Sequence, residues 1–397
     1  MNDTDNLNSD VSSAQGKIVK TRPSTVALSL AACAALILAG CSRPYLRPEV
    51  QPKGAIFPGI EDGFTTNNTS QEVDVFVMHG MCTHDRGWAD ESFTQFTLSL
   101  GMTSSGNTSQ QPLPHGAELY KQTVEGGGHH ARLAALIWSP ITAPAKNQLC
   151  YDVTKPTKSC PQDPPLSHQR RATLNAGLKN QLLNDCLSDV IIYSGKLGQQ
   201  IRDATKDALL TQLSSQQKSA SAFAPGEVAR APVRPLFLVT DSLGSKILLD
   251  SIQELQNEGQ GEFVKETLAR MVALYLRANQ IPLLGLTNVD PRPAKAFDAL
   301  EAPLKSAIPN NLNLRADVEA LPVVAFTDPN DLLSYAFAGG QYAPQKLRFT
   351  DVLVSNAPTL ISFVERPDHA HTTYKSNPCV VTAIVKGSSG LDQGCSR

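Results

Sequence analysis

Ser242 lies at the end of a predicted strand, in a setting typical of a catalytic nucleophile. In PLFLVTDSLGSKILLD, the apolar strand Leu236–Val239 stops at a turn with Ser242 at its apex, and an apolar helix follows. Such a turn lifts the hydroxyl clear of the sheet edge, and the small Gly244 lets strand and helix pass closely. Thr240 replaces the first glycine of the G-x-S-x-G pattern and crowds the turn. An ordinary helix-capping serine is the alternative interpretation.

Two acidic and two basic candidates follow this serine in the chain. After the apolar run VVAF come Asp328 and Asp331, and further on lie His369 and His371. A histidine can take the proton of a serine hydroxyl, while a carboxylate orients the imidazole and stabilises its charged form. These residue types predict nucleophilic catalysis by Ser242 at an acyl carbonyl.

A second short strand, Val73–Met78, ends at a His-Gly pair. The residues around this pair that can bind a metal are His79, Cys82, His84 and Asp85. Their spacing matches no standard zinc pattern, and no second cysteine pair follows. His129 and His130, next to a glycine-rich stretch, do not form a standard metal-binding pattern either. We therefore expect neither a metal nor a cofactor.

Together these motifs resemble the α/β-hydrolase superfamily of serine esterases and lipases. The resemblance covers about residues 73–387 in the order of the elements and is specific at four short motifs. It implies that Ser242 is the nucleophile. It also implies that the backbone N–H groups of Met81 and Leu243 bind the tetrahedral oxyanion. His79 would then shape the loop and would not act as a base.

The same resemblance ranks the candidates for acid and base. In that superfamily an Asp and then a His follow the serine along the chain. Asp331 fits better than Asp328, because Asp-Leu-Leu resembles the family's Asp-x-Val. His371 fits better than His369, because it precedes a C-terminal helix that starts near Asn377, where the family has its base.

Two alternatives stay open. The Asp-Ser-Leu block around Ser242 and the Asp368-x-x-His371 spacing resemble a different esterase family, in which Asp368 would replace Asp331 as the acid. In that family the serine follows the first strand, whereas here a strand, the His-Gly loop and a long insertion precede it. The missing elbow glycine also leaves open a non-catalytic envelope lipoprotein that uses the same fold for binding or scaffolding.

Short apolar strands alternate with amphipathic helices along the chain. Strands are predicted at 73–78, 133–138, 236–239, 271–276, 323–326 and 352–354, and helices at 168–193, 197–213, about 245–255 and from about 377. This alternation predicts an α/β fold with a mostly parallel central sheet flanked by helices. We assign one α/β-hydrolase-like domain, 73–397, with a helical and loop cap insertion at about 140–233. An extended loop is expected at 143–167, and residues 281–286 either line the acyl pocket or belong to the core.

The N-terminal segment has the layout of a secretory signal. Basic residues precede the uncharged stretch Val26–Leu38, which is shorter than the about 20 apolar residues of a membrane span. The following LAGC resembles a bacterial lipoprotein signal, which implies that residues 1–40 are removed and that Cys41 is lipidated. Ser42 after this cysteine implies the outer membrane, facing the periplasm. Residues 41–72 are rich in Pro, Gly, Asn and Thr and are predicted to be a flexible tether.

Composition excludes several classes of function. The chain has 35 Lys and Arg against 37 Asp and Glu, a net charge of −2, and no basic cluster, so it lacks the electrostatic footprint of a nucleic-acid-binding protein. Its hydrophobic content of 41% is too high for a disordered chain. The partners we expect are a small-molecule or lipid ester substrate and the membrane, through the N-terminal lipid.

The predicted compartment decides whether the cysteines are expected to form disulfides. Of the eight, Cys33 falls in the signal and Cys41 at the lipidation site, which leaves six in an oxidising environment where disulfides persist. Six cysteines allow fifteen connectivities. The short loops between them favour the pairs Cys150–Cys160 and Cys379–Cys395, which leaves Cys82–Cys186 as the third pair. Buried free thiols are the alternative.

Overall fold

A computed structural model of the chain describes residues 41–42, 45–65, 71–162, 170–214, 234–287, 293–306, 320–337, 345–360 and 366–395. These residues fall into two units. In the smaller unit the strands Cys41–Ser42 and Thr359–Leu360 pair antiparallel. The predicted signal, residues 1–40, lies outside the described residues. Among those that are described, no helix has both the length and the apolar character needed to cross a membrane.

The larger unit contains a mixed sheet of ten strands within the described residues. They are β1 (Glu49–Gln51), β2 (Glu72–Met78), β3 (Thr103–Ser104), β4 (Ser109–Pro112), β5 (Glu118–Gly126), β6 (His129–Ile137), β7 (Leu236–Asp241), β8 (Met271–Arg277), β9 (Leu321–Thr327) and β10 (Leu347–Leu353). Their order is β1-β10-β9-β8-β7-β2-β6-β5-β3, with β4 paired to β5. The six strands from β10 to β6 are parallel, and antiparallel pairs extend both edges.

Helices flank this sheet. They are α1 (Asp62–Thr65), α2 (Arg86–Ser99), α3 (Ser139–Lys146), α4 (Thr173–Gly177), α5 (Ser188–Ser194), α6 (Leu197–Leu213), α7 (Leu243–Asn257), α8 (Gly261–Arg270), α9 (Ile281–Leu284), α10 (Asp298–Ser306), α11 (Pro367–Thr372), α12 (Pro378–Lys386) and α13 (Gly390–Gly394). A π-helix, Leu178–Leu187, joins α4 to α5. Short 3-10 helices cover Pro114–Gly116, Asn147–Asp152, Gly285–Thr287, Pro293–Phe297, Tyr374–Ser376 and Gly387–Ser389.

The central strands are apolar because both faces of the sheet are covered. All seven residues of β8 are buried, as expected for a parallel strand between two helical layers. Val75 and Val77 on β2 belong to the apolar cluster that includes α2 and α12, and Phe76 and Met78 to the cluster that includes α6 and α7. The predicted α/β class, with a mostly parallel central sheet flanked by helices, is therefore confirmed.

The predicted flexible tether at 41–72 is wrong for the described residues 45–65. Glu49–Gln51 pairs with β10 as an edge strand of the main sheet. Phe57, Ile60 and Phe64 are buried in the cluster that also covers β2 and β7. The Pro- and Gly-rich composition concealed these anchors. Their i, i+3, i+7 spacing is helical, but it covers only eight residues that also contain Pro58, Gly59 and Gly63.

Three further predictions of local structure are corrected. The helix expected at 168–193 is interrupted by the π-helix, whose changed register exposes Leu183 and buries Asn180 and Asn184. The loop expected at 143–167 begins as helix up to Lys146 and continues as a 3-10 turn. His371, expected in a loop, lies in the short helix α11, which begins with a proline at its first position.

The cysteine pairs agree with the sequence-based choice. The sulfur atoms of Cys82–Cys186, Cys150–Cys160 and Cys379–Cys395 lie at bonding distance. The first bridge joins the loop after β2 to the π-helix of the insertion, 104 residues away. This bridge therefore ties the predicted oxyanion loop to the insertion.

Candidate active site

Ser242 occupies a strained turn between β7 and α7. Its backbone has φ 50° and ψ −123°, a region that costs a non-glycine residue roughly 1–3 kcal/mol. The Ser242 N–H donates to the carbonyl oxygen of Arg277 on β8, at 2.8 Å. The neighbouring strand thus holds the turn, and α7 begins at the residue after the serine.

Two glycines allow the backbone segments around this turn to touch. A Cβ on Gly244 would lie 2.5 Å from the carbonyl oxygen of His79. A Cβ on Gly80 would lie 2.6 Å from the carbonyl oxygen of Asp241 and 2.7 Å from the Cβ of Ser242. Because real Cβ atoms do not approach other atoms this closely, both positions require glycine. The His-Gly loop and the serine turn are therefore in direct contact.

Thr240, at the position of the missing glycine, is accommodated by a hydrogen bond. Its Oγ1 lies 2.9 Å from the Oγ of Ser245 in the first turn of α7, and both side chains are buried. A buried hydroxyl costs free energy unless it is paired, and each of these hydroxyls supplies the partner of the other. The threonine is thus compatible with the tight turn.

His371 joins Ser242 to Asp331. Ser242 Oγ lies 3.1 Å from His371 Nε2, and His371 Nδ1 lies 2.9 Å from each carboxylate oxygen of Asp331. With a carboxylate at Nδ1, the neutral ring carries its proton there and presents Nε2 to the hydroxyl as an acceptor. All three side chains are buried. The structure therefore brings together the three residues that the sequence singled out.

Asp331 has two further donors, one of them unforeseen. The backbone N–H of Leu333 donates to Oδ1 at 3.0 Å, and the hydroxyl of Tyr374 donates to Oδ2 at 3.1 Å. Burial, followed by the nearby Asp331 charge, raises the pKa of Tyr374 well above its usual value, so the phenol stays protonated. Sequence reasoning missed Tyr374, although its position three residues after His371 was a signal.

Asp328, the alternative acid, has a different task. Its Oδ1 accepts the N–H of Asn330 at 2.9 Å, and its Oδ2 accepts the N–H of Asn356 at 2.6 Å. Asn356 in turn donates its side-chain amide to the carbonyl oxygen of Ala370. Asp328 therefore connects the loop that carries Asp331 to the helix that carries His371.

The other alternative residues face elsewhere. Asp368 binds the guanidinium of Arg366, with 3.2 Å between Oδ1 and Nε. The side chain of His369 is exposed, whereas His371 is buried. Asp368 is thus not the carboxylate at His371 Nδ1.

His79 is built into the loop after β2. Its ring stacks on Trp138 with 4.5 Å between centroids, its Nδ1 lies 2.6 Å from the Gly80 carbonyl oxygen, and its Nε2 accepts the Trp138 N–H at 2.9 Å. Burial lowers the pKa of His79 well below its usual value, and nearby His84 lowers it further. A neutral His79 with both ring nitrogens engaged is consistent with a loop-shaping role.

Met81 and Leu243, the predicted oxyanion donors, lie on the two segments that meet at Ser242. Met81 follows Gly80, and Leu243 is the first residue of α7, so its N–H has no partner within the helix. Among the described residues neither backbone N–H has a hydrogen-bond acceptor. Both groups are therefore free to donate to a bound ligand.

A buried ion pair adjoins the serine. Arg277, 1% exposed, binds Asp241 through its Nε while its carbonyl oxygen accepts the Ser242 N–H. Burial raises the pKa of Asp241, and the Arg277 charge opposes that shift. Sequence reasoning did not identify Arg277, because its strand neighbour Asp241 is 36 residues away in the chain.

The metal alternative loses a ligand. The Cys82 sulfur is bonded to Cys186 and is not a free thiolate. Another group within the described residues, Asp203, Glu254 and Glu258, brings carboxylate oxygens within 4.8 Å of one another. Lys206 already binds all three of those carboxylates. This acidic cluster is therefore explained by its lysine.

Comparison with known proteins finds no matching family model, curated protein or solved structure. The chemistry of the site is accordingly argued from its own residues. They provide a hydroxyl, an imidazole and a carboxylate in hydrogen-bonded series, beside two free backbone N–H groups.

The site predicts a stability effect for Tyr374→Phe. This variant leaves the buried Asp328 N–H, which now donates to the Tyr374 hydroxyl at 2.7 Å, without an acceptor. We expect the free energy of unfolding, measured with denaturant, to fall by roughly 1–3 kcal/mol. Tyr151→Phe, at a side chain that is 59% exposed, is the matched control and should change it by less than about 0.5 kcal/mol. Equal changes in both variants would contradict this account of Tyr374.

Proposed function

We propose that this protein is a serine hydrolase of the α/β-hydrolase type that cleaves carboxylic esters, of lipids or of other acyl compounds, through an acyl-enzyme. The observation that carries the proposal is the hydrogen-bonded series from Ser242 Oγ through His371 to Asp331. A nucleophile within reach of a base, with that base oriented by a third group, is the signature of an activated serine.

In the first half of the reaction Ser242 Oγ attacks the carbonyl carbon of the ester. His371 Nε2 takes the hydroxyl proton, and Asp331 stabilises the imidazolium that forms. The resulting tetrahedral carbon carries a negative oxygen. His371 then returns the proton to the leaving alcohol, the carbon–oxygen bond of the ester breaks, and the acyl group stays on the serine.

The second half repeats these steps with water. His371 removes a proton from water, the hydroxide attacks the acyl carbon, and the proton returns to Ser242 Oγ as the carboxylic acid leaves. Tyr374 and the Leu333 N–H hold Asp331 in place, because each donates to one of its oxygens. The buried setting strengthens these interactions relative to water.

The developing oxyanion is assigned to the backbone N–H groups of Met81 and Leu243. Each such donor contributes on the order of 3 kcal/mol to transition-state stabilisation when it is preorganised. Leu243 opens the 15-residue helix α7, whose N-terminus adds positive potential at the same place. The contact between Gly80 and Ser242 supports this assignment, because it brings the two donor segments to the nucleophile.

The insertion at about 140–233 is proposed as a cap that shapes the acyl pocket. The cap would comprise α3 to α5 and the π-helix, since α6, the last helix of the insertion, packs with α7 on the sheet. The bridge between Cys186 and Cys82 attaches it to the proposed oxyanion loop. Residues 163–169 and 215–233 of this insertion lie outside the described residues.

Covalent labelling of Ser242 tests the proposed nucleophile. The protein should react with a fluorophosphonate probe and hydrolyse short p-nitrophenyl esters, because both need the activated hydroxyl. Ser242→Ala should lose the label completely and kcat by about 10⁴-fold or more. Ser105→Ala, which removes an exposed serine hydroxyl outside the site, is the matched control and should keep the label. If the wild-type protein showed no labelling and no ester hydrolysis, the non-catalytic alternative would be supported.

The acid is tested by a pair of isosteric variants. Asp331→Asn should lower kcat by about 10⁴-fold, because the amide no longer holds the reactive tautomer of His371. Asp368→Asn should keep kcat close to that of the wild type, since Asp368 binds Arg366. If only Asp368→Asn lost activity in the ester assay, the assignment of Asp331 would be wrong.

The location at the cell envelope is a separate proposal, supported by the LAGC sequence that ends at Cys41. Expressed in bacteria with a palmitate analogue, the wild-type protein should take up the lipid and sediment with membranes. Cys41→Ser should do neither, because the thioether cannot form, while Cys33→Ser serves as the control and should retain both properties. A Cys41→Ser protein that still carried the lipid would exclude this anchor.

A further inference from the structure

The loop that carries Met81 is held by the insertion. The backbone N–H of Cys82 donates to Asp189 Oδ2 at 2.8 Å, and that of Thr83 donates to Asp185 Oδ1 at 3.1 Å. Both carboxylates belong to the insertion, Asp185 to its π-helix and Asp189 to α5. Two consecutive peptide N–H groups of a β-strand loop therefore depend on side chains more than 100 residues further along the chain.

Lys146 is the counter-ion of both carboxylates. Its fully buried ammonium lies 2.7 Å from Asp189 Oδ2, 3.3 Å from Asp185 Oδ1 and 3.2 Å from the hydroxyl of Thr83. A buried charge of this kind is tolerated only when it is paired and hydrogen-bonded. The ammonium and the two carboxylates thus form one unit around residues 82–83 of the loop.

The peptide next to Met81 is fixed on both sides. Cys82 has a φ of 79°, which is unfavourable for a residue with a side chain. Its N–H is bound by Asp189, and the carbonyl oxygen of Met81 lies 3.1 Å from His84 Nε2. Two planar peptides meet at Met81. The one that contains the Met81 N–H has its Gly80 carbonyl oxygen 2.6 Å from His79 Nδ1, and the one that follows is held by Asp189 and His84. Fixing the second plane as well as the first leaves only the φ and ψ of Met81 between two held planes, which restricts the direction of its N–H.

We propose that Asp189, held by Lys146, is the positioning residue that aims the Met81 N–H at the oxyanion of the Ser242 reaction. The inference rests on the proposed function. Asp189 does not touch substrate in this account; it acts through the Cys82 N–H. The insertion therefore contributes to the rate of the chemical step as well as to the pocket.

The charge of Asp189 gives the proposal a pH signature. Burial raises the pKa of Asp189 to about 6, while the Lys146 charge opposes the shift. The charged groups that act on it are Lys146 on α3 and Asp185 on the insertion, and the loop it binds also carries His79 and His84. Burial lowers the pKa of His84 to about 3 and that of His79 well below its usual value, so both stay neutral near pH 6.

The sign of this linkage separates activity from stability. Because the pKa of Asp189 is raised on folding, its contribution to stability is present below about pH 4 and is lost as the pH rises through about 6. Acidification from pH 7 to 5 therefore does not unfold the protein through Asp189. It removes the carboxylate charge that orders the Cys82 N–H.

The experiment compares Asp189→Asn with Tyr193→Phe in the ester assay. Asp189→Asn should lower kcat by about 10- to 100-fold with KM nearly unchanged, since a misplaced donor weakens transition-state binding alone. Tyr193→Phe removes a hydrogen bond between the same helix, α5, and Asp250 on α7, and should leave kcat within about twofold. Equal losses of kcat in the two variants would mean a merely structural role and would overturn the proposal.

The pH profile is the second measurement. The ratio of the wild-type kcat to that of Asp189→Asn cancels any loss of activity that is common to both proteins. This ratio should shrink towards one as the pH falls through about 6. A ratio that stays constant from pH 8 to 5 would contradict the role of the Asp189 charge.

A double variant without the two buried charges controls for a folding defect in Asp189→Asn. Lys146→Met combined with Asp189→Leu removes both buried charges, a change that is often neutral or stabilising, but it also removes the acceptor of the Cys82 N–H. We expect this variant to fold and to show the same loss of kcat. If either variant folds and keeps the wild-type kcat, this inference is overturned while the proposed function stands. Absence of hydrolysis and labelling in the wild-type protein overturns the proposed function, and this inference with it.

Discussion

The contact between two backbone segments, the loop after β2 and the turn after β7, is the constraint on which the rest of the site depends. Gly80 and Gly244 permit distances that any side chain would block, and Ser242 adopts its strained conformation between them. The strain persists because β8 holds the Ser242 N–H and because Thr240 and Ser245 bind each other below it. Removing this contact would separate the nucleophile from the proposed oxyanion donors.

The parallel sheet supplies the remaining geometry. The segments that carry Ser242, Asp331 and Met81 all leave the carboxyl ends of parallel strands, so they emerge at one edge of the sheet. His371 lies on a short helix after β10, and polar contacts join this helix to the rest of the site. Asp328 and Asn356 connect that helix to the acid loop. A single imidazole is therefore positioned by hydrogen bonds from three separate segments.

Local signals in the sequence predicted the strands of the sheet interior and the residues at their ends. Continuous apolar runs gave the parallel strands because both faces of the sheet are covered, and turn residues identified Ser242 and Asp331. The segment at 45–65 differs from the predicted tether because three apolar anchors are too few to outweigh a composition rich in Pro and Gly. The π-helix differs from the predicted helix because a change of register leaves no mark in the apolar spacing. Antiparallel strands at one edge, such as β5, were missed because only part of their residues are buried.

The sequence by itself determined which residue types are available for nucleophilic catalysis and in what order they occur. Only the tertiary structure decided which carboxylate meets His371, since Asp328 and Asp331 are three residues apart and differ in their partners alone. It also decided the roles of Tyr374, Arg277 and the Lys146–Asp189 pair. Buried polar groups must find partners wherever the fold brings them, and within the site those partners lie up to 129 residues away, beyond the reach of any local pattern.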